Sequence, residues 1–200
     1  MIENIKVIRN GYLIRSEKGL ILDARSSVTL IQTEKSNILI DTSRRKDRDL
    51  IITGLKKKSL SCKDITIVIN THNHTDHTGN NDLFDSAVIF AHTLNEHIDG
   101  TTPIKRFPFE LEKGIKIIET PGHSLDSISV VFTKKYTYTV AGDSIPLKNN
   151  LLNWIPPIIN IGPELAIESM KKIISIADII IPGHDFAFKI DKRLLEDKIK

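Results

Sequence analysis

Thr71-His72-Asn73-His74-Thr75-Asp76-His77-Thr78-Gly79-Asn80 follows closely on the apolar run Ile65-Thr66-Ile67-Val68-Ile69, and this junction decides how the rest of the chain is read. A β-branched run that ends in three histidines and an aspartate describes a strand delivering metal-ligand side chains to a sheet edge. In an extended segment residues two apart point the same way, so His72 and His74 can grip one ion together. Asp76 and His77 are neighbours at a helix start and project elsewhere. One ion cannot take all four from so short a loop, which points to two ions side by side.

The missing ligands are sought at other strand ends. The run Ile38-Leu39-Ile40 closes on Asp41, residues 115–119 lead into Pro121-Gly122-His123, residues 136–140 into Asp143, and residues 178–181 into Pro182-Gly183-His184. A tight Pro-Gly turn swings the next imidazole over the carboxyl edge of a sheet, where layered α/β folds bind ligands. His123 then completes a triad with His72 and His74, His184 joins Asp76 and His77, and Asp143 bridges the two ions through its two oxygens. A water shared by two divalent ions ionises near neutral pH, which predicts a metal-bridging hydroxide as nucleophile. Asp76, through an oxygen not committed to metal, would orient that hydroxide or take its proton. Asp41 is a candidate outer partner that holds the second nitrogen of a ligating imidazole; a helix-cap or turn role suits its position equally. Two zinc ions are the first expectation, with iron or manganese also compatible with such ligands.

His92 and His97 lack this context and are assigned to surface or packing, as is Cys62. Trp154 either lines a pocket or packs on the prolines around it. A nucleophilic triad from Ser124, His123 and Asp126 is set aside, because there is no G-x-S-x-G elbow and adjacent side chains point apart.

The 200 residues are read as one domain, 1–200, large enough for a full core. With 28 Lys and Arg against 25 Asp and Glu, the formal net charge of +3 demands no polyanionic partner. The lone cysteine rules out an internal disulfide and suits a reducing compartment. The N-terminus lacks a secretory apolar core and no run approaches a membrane span, so a soluble, cytoplasmic protein without a membrane partner is expected. An antiparallel meander is predicted over residues 5–8, 12–15, 27–33 and 37–41, and a surface helix over 43–58. That helix has basic residues at both ends, Arg44 to Arg48 and Lys56 to Lys58, so it offers either a solvated face or an anion-binding patch. A loop is expected over 93–109. A helix opens at Gly162-Pro163-Glu164 with the stripe Ala166, Met170, Ile173, Ile174, Ala177, and the chain closes on a strand and a charged terminal helix.

Taken together, Asp41, the His72-x-His74-x-Asp76-His77 signature, His123, Asp143 and His184 in this order resemble the metallo-β-lactamase superfamily over nearly the whole chain. The phrases Ser27-Val28-Thr29-Leu30, Ile40-Asp41-Thr42, Asp76-His77-Thr78-Gly79-Asn80 and Ala177-Asp178-Ile179-Ile180-Ile181-Pro182-Gly183-His184 most resemble the metallo-β-lactamase domain-containing protein 1 group. The resemblance implies an αββα four-layer sandwich of the α/β (α+β) class with a dinuclear site at one sheet edge. It also implies hydrolysis of an ester, thioester, amide, lactone or phosphodiester. β-Lactam hydrolysis fits less well, because it accompanies a Ser or Cys where this chain has Asp143. No glutathione-binding helical extension follows His184, and the 40 residues between Asp143 and His184 are too few for an inserted nuclease domain. The expectation is a minimal hydrolase acting on a small molecule. An RNA or DNA nuclease is the less favoured reading, and a mononuclear iron persulfide dioxygenase on His72, His123 and Asp143 is a third. The oligomeric state stays open, a homodimer among the options.

Overall fold

The computed structural model describes residues 1–191. In chain order the first half contributes β1 (Ile2–Arg9), β2 (Tyr12–Arg15), β3 (Ile21–Arg25), β4 (Val28–Thr33), β5 (Asn37–Ile40), helix α1 (Arg48–Lys56), β6 (Ile67–Ile69), the short α2 (Thr75–Thr78), β7 (Val88–His92) and β8 (Thr101–Ile104). The second half contributes β9 (Phe109–Glu112), β10 (Ile115–Glu119), β11 (Ile128–Thr133), β12 (Thr137–Gly142), α3 (Lys148–Leu152), α4 (Pro163–Ile176), β13 (Ile179–Pro182) and β14 (Phe188–Lys189). Two six-stranded mixed sheets result, ordered β1-β4-β5-β6-β7-β8 and β14-β13-β12-β11-β10-β9, with β2 and β3 as a separate hairpin.

Alternation along the strands sorts side chains into three cores and fixes the layers. Ile38, Ile40, Ile69 and Ile31 from one sheet meet Ile117, Val130, Val140 and Ile181 from the other. Their neighbours point outward: Leu30, Leu39 and Val68 onto Ile51 and Leu55 of α1, and Ala141 and Ile180 onto Met170, Ile173 and Ile174 of α4. Each sheet thus buries one face against the other sheet and one against a helix, which is the αββα order. Among the described residues no helix is long and apolar enough to cross a membrane.

The fold departs from the sequence expectation in four places. The N-terminal meander is interrupted, since β2 pairs with the unanticipated β3 instead of with β1 or β4. The helix expected over 43–58 divides into a 3-10 turn at Arg45–Asp47 and α1. Residues 93–109 hold β8 and the start of β9 instead of a continuous loop; both are edge strands, where Pro103 costs no ladder bond. The short helix α3 also had no clear periodic signal. The charged terminal helix lies outside the described residues.

Candidate metal centre

Five strands stop at the same end of the sandwich. Asp41 ends β5, the histidine motif follows β6, and His123, Asp143 and His184 follow β10, β12 and β13. Main-chain bonds hold these ends together: Asp41 N donates to Ile69 O at 2.9 Å, Thr42 N to His77 O at 2.6 Å, Ile128 N to Thr71 O at 2.8 Å and Gly183 N to Gly142 O at 2.9 Å. Gly79 explains the Asp-His-Thr-Gly-Asn phrase. A Cβ there would stand 2.6 Å from Arg45 N and 2.8 Å from Ser43 O, so only glycine lets the 3-10 turn lie against α2. Asn80 secures that approach by donating to Thr42 O at 2.8 Å and Arg44 O at 2.7 Å.

All seven ligand-type residues singled out in the sequence meet in this place. Their donor atoms form three groups, His72–His74–His123, His72–His77–Asp143 and Asp76–His77–His184, with the atoms of each group within 4.8 Å of one another. His72 Nε2 and His123 Nε2 each stand 3.0 Å from His74 Nδ1. Asp143 Oδ2 is 3.1 Å from His184 Nε2 and 3.6 Å from His123 Nε2, while Asp143 Oδ1 is 3.3 Å from His77 Nε2. His92 and His97 stand apart from it: His92 stacks on Phe107 and pairs with Glu119 at 3.1 Å, and His97 is exposed.

The inward nitrogens of His72, His77, His123 and His184 are each aimed by a bond on the opposite ring atom. His123 Nδ1 donates to Ile159 O and His184 Nδ1 to Arg25 O, both at 2.8 Å, and a carbonyl can only accept. His77 Nδ1 lies 2.8 Å from Asp41 Oδ2. Thr71 acts as a relay: its hydroxyl donates to Asp41 Oδ2 at 2.9 Å and accepts from His72 Nδ1 at 3.2 Å. Asp41 therefore braces His77 directly and His72 through Thr71. It does so from a left-handed backbone conformation, φ 58°, which is uncommon for a side chain other than glycine.

These residues fit divalent cations. His77 Nε2 and Asp143 Oδ1 are buried and have no hydrogen-bond partner among the described residues, and leaving such atoms unpaired costs about 1–3 kcal/mol each. With Nδ1–H of His72 and His123 pointing outward, their Nε2 lone pairs both face His74 Nδ1, which has at most one proton to share between them; a cation between the three satisfies all of them. The field favours it as well. Burial would lower His77, but Asp41 and Asp143 hold its imidazole well above the usual value. Burial would raise Asp143, but His184 and His77 hold its carboxyl well below the usual range. His72, buried beside His77, is pushed well below its usual value, which favours its neutral form.

A cleft of about 110 Å³ opens over the cluster. Leu13, Arg15, Ile21 and Ala24 of the β2–β3 hairpin form one wall, and Pro146 and Pro157-Ile158-Ile159 form the other. Asp76, with its side chain 26% exposed against 8% for Asp143, is the carboxylate that faces the opening. Trp154 is outside this lining and packs against the apolar cluster around α4.

Several contributors escaped the sequence reading. Asp126 is no triad partner of Ser124: it accepts from Asn73 N and from Asn95 Nδ2, both at 2.8 Å, and so pins the loop between His72 and His74. Arg25 acts through its main chain. Its side chain is fixed by a 3.1 Å bond to Asn10 O, by the Tyr12 ring 4.1 Å away and by Asp47 at 3.9 Å. Buried Asp47 also takes Arg9 and Arg44, so it gathers three guanidinium groups behind the site. The only local hint was its place in the basic run, where it reads as an interruption.

Independent likenesses agree with this geometry. The sequence profile of the metallo-beta-lactamase superfamily matches residues 23–104. A "probable metallo-hydrolase" of Methanocaldococcus jannaschii is 45% identical over 182 residues, covering 90% of this chain and 86% of that protein. Metallo-beta-lactamase domain-containing protein 1 of Xenopus laevis is 32% identical over 196 residues, with coverages of 94% and 82%. An N-acyl homoserine lactone hydrolase, solved with its product N-hexanoyl-L-homoserine at the catalytic metal centre, superposes with a TM-score of 0.69 at 24% identity over 84% of each chain. The chain belongs to the metallo-beta-lactamase superfamily, within the metallo-beta-lactamase domain-containing protein 1 grouping.

Proposed function

We propose that residues 1–200 form one catalytic domain that hydrolyses an ester, thioester, lactone or phosphodiester of a small substrate with two divalent cations, zinc foremost. His72, His74 and His123 would hold one, Asp76, His77 and His184 the other, with Asp143 shared. The observation that carries this reading is the convergence of seven ligand-type side chains beneath an open cleft, with His77 Nε2 and Asp143 Oδ1 buried and without a hydrogen-bond partner among the described residues. When bound, the cations supply a water acidified toward neutral pH and a Lewis acid for the carbonyl or phosphoryl oxygen.

The chain's own residues do the rest. Asp76, at the cleft floor, holds the attacking water by hydrogen bond or takes its proton. Asp41, Thr71, Ile159 O and Arg25 O keep the imidazoles from rotating, so the site is organised before substrate arrives. The walls of proline, leucine and isoleucine exclude water from the reacting bond and suit a substrate with an apolar segment, such as the acyl chain of the lactone hydrolase's product.

The surface charge speaks against nucleic acid as substrate. Arg44 is paired with Asp23 and Asp47, and Arg45 and Arg48 both reach Asp82, so the basic run beside the site is largely neutralised by its own carboxylates.

Metal analysis of the purified protein tests the reading. About two divalent ions per chain and cleavage of 4-nitrophenyl esters or bis(4-nitrophenyl) phosphate are expected, with both lost in Asp143→Ala. One iron per chain, with oxygen uptake on persulfide, would move the assignment to a mononuclear dioxygenase. Full turnover by metal-free Asp143→Ala would end it.

A further inference from the structure

We propose that Arg15 is the anion-recognising residue of the cleft, and that the substrate carries a carboxylate or phosphate at the far end of an apolar segment from the bond that is cut. This rests on the cleft being the hydrolytic site. The argument starts from the two faces of the β2–β3 hairpin. Its register pairs Tyr12 with Arg25, Leu13 with Ala24, Ile14 with Asp23 and Arg15 with Ile21. Tyr12 and Asp23, on one face, are clamped to the body of the protein by Arg44, which donates to both. Leu13, Ala24, Arg15 and Ile21 line the cleft on the other. Arg25 at the hairpin base touches His184, so Leu13 and Ala24 lie nearer the ligand cluster. Arg15 and Ile21 stand one side-chain repeat further out, about 7 Å along the strands.

Charge sets Arg15 apart from the other arginines of residues 9–48. Arg9, Arg25 and Arg44 reach Asp47, and Arg45 and Arg48 reach Asp82. Arg15 has no carboxylate partner among the described residues. Instead its Nη1 donates a 2.8 Å bond to Gly19 O across the hairpin tip. That bond fixes the direction of the side chain while leaving the remaining N–H donors of the fork for a ligand. Apart from the histidines, it is the only basic residue that lines the cleft. A guanidinium flanked by Leu13 and Ile21, without a counter-charge, is suited to a bidentate bond with a carboxylate or phosphate. From floor to rim the cleft thus runs from ligand cluster to apolar walls to a single cation, the complement of an acyl compound with an anionic terminus.

The test uses the metal-loaded protein and 4-nitrophenyl esters of one chain length, ending in a carboxylate, a phosphate, a methyl or a trimethylammonium group. Wild-type kcat/KM should favour the anionic esters. Arg15→Gln should lose about tenfold more on them than on the methyl-terminated ester, in keeping with one charge-assisted contact. Arg15→Glu should turn the preference toward the trimethylammonium ester, which a damaged fold would not do. The anion with the larger Arg15-dependent factor identifies the natural group. Calorimetric binding of the matching N-methylamides should follow the same order without turnover. Equal losses on all four esters, or no anion preference in wild type and no loss of amide binding in Arg15→Gln, would overturn the assignment. If no ester is cleaved while the amides still bind in an Arg15-dependent order, the hydrolytic reading fails and the anion subsite stands.

Discussion

The chain writes Pro-Gly-His twice, at 121–123 and 182–184, and both turns aim an imidazole at the same cluster, yet the two glycines serve different neighbours. A Cβ on Gly183 would stand 2.0 Å from Asp143 Oδ1 and 3.0 Å from the Gly142 backbone. A Cβ on Gly122, whose φ is 141°, would stand 2.4 Å from Ala166 Cα and 2.6 Å from Ala166 N. The first glycine named makes room for a ligand, the second for helix α4. The imidazoles are likewise held from opposite flanks, His184 by the carbonyl of Arg25 at the hairpin base and His123 by that of Ile159 in the loop before α4. Identical local sequence thus produces identical aim from unrelated supports, so damage to each turn should be told apart by what it disturbs.

Gly183→Ala should have the largest effect. Asp143 has to leave its position, and a displaced ligand at a shared centre should weaken divalent-metal binding by roughly 100-fold or more. Titration of the purified variant with zinc reads this directly; affinity equal to wild type would mean that the turn yields and the carboxylate stays. Gly122→Ala comes next and should invert the balance. It adds a left-handed strain to a backbone clash with α4, so about 1–3 kcal/mol of stability should be lost in denaturant unfolding. Metal affinity should fall far less than in Gly183→Ala. If Gly122→Ala is the variant that loses metal and keeps stability, the two turns have been read the wrong way round.

This contrast also marks what a sequence can carry. Strand ends on Asp41, Asp143 and the two Pro-Gly-His turns were legible because β-branched runs stop abruptly at ligand-type residues, whereas the two-sheet sandwich was implied by the family resemblance of those residues. The supports were not. Arg25 aims His184 with a main-chain oxygen, which any residue possesses, and Asp126 pins Asn73 across 53 positions of sequence. Strand β3 gave no signal because Ile21 and Leu22 are exposed and its pairing serves only the hairpin. Arg15 acquires meaning only from that hairpin, since its lack of a carboxylate partner is visible in three dimensions alone.

Arg25→Ala sharpens the comparison at the His184 flank. The carbonyl remains, but the stack on Tyr12 and the bonds to Asn10 O and Asp47 that hold it are gone. Roughly tenfold weaker binding is expected for the cation proposed on Asp76, His77 and His184, with the centre proposed on His72, His74 and His123 retained, so a zinc titration should become biphasic. Arg25→Lys restores charge near Asp47 without the stacked guanidinium and should fall between. A uniform loss at both centres would show that Arg25 supports the fold in general and not His184.

The matching change on the other flank is Asn160→Ala, and it should be the mildest. Asn160 Nδ2 donates to Pro157 O at 2.7 Å and so stiffens the loop that presents Ile159 O to His123. The loop has a second tether that no side chain supplies, since Ile161 N donates to Gly122 O at 2.8 Å, within the turn that carries His123. Main chain ties the Arg25 flank as well, since Ser27 N donates to Gly183 O at 2.7 Å, but the Asn160 side chain adds one bond to its flank, whereas that of Arg25 adds contacts to Asn10 O, Tyr12 and Asp47. Removing Asn160 should cost only about 0.5–1.5 kcal/mol, the usual worth of one hydrogen bond. Zinc affinity should change by no more than a few-fold, and the His123 Nδ1 proton should remain protected in NMR spectra. A loss of metal as large as that of Arg25→Ala, with that proton exposed to exchange, would mean that the main-chain tether does not hold the loop and that the two flanks depend equally on their side chains.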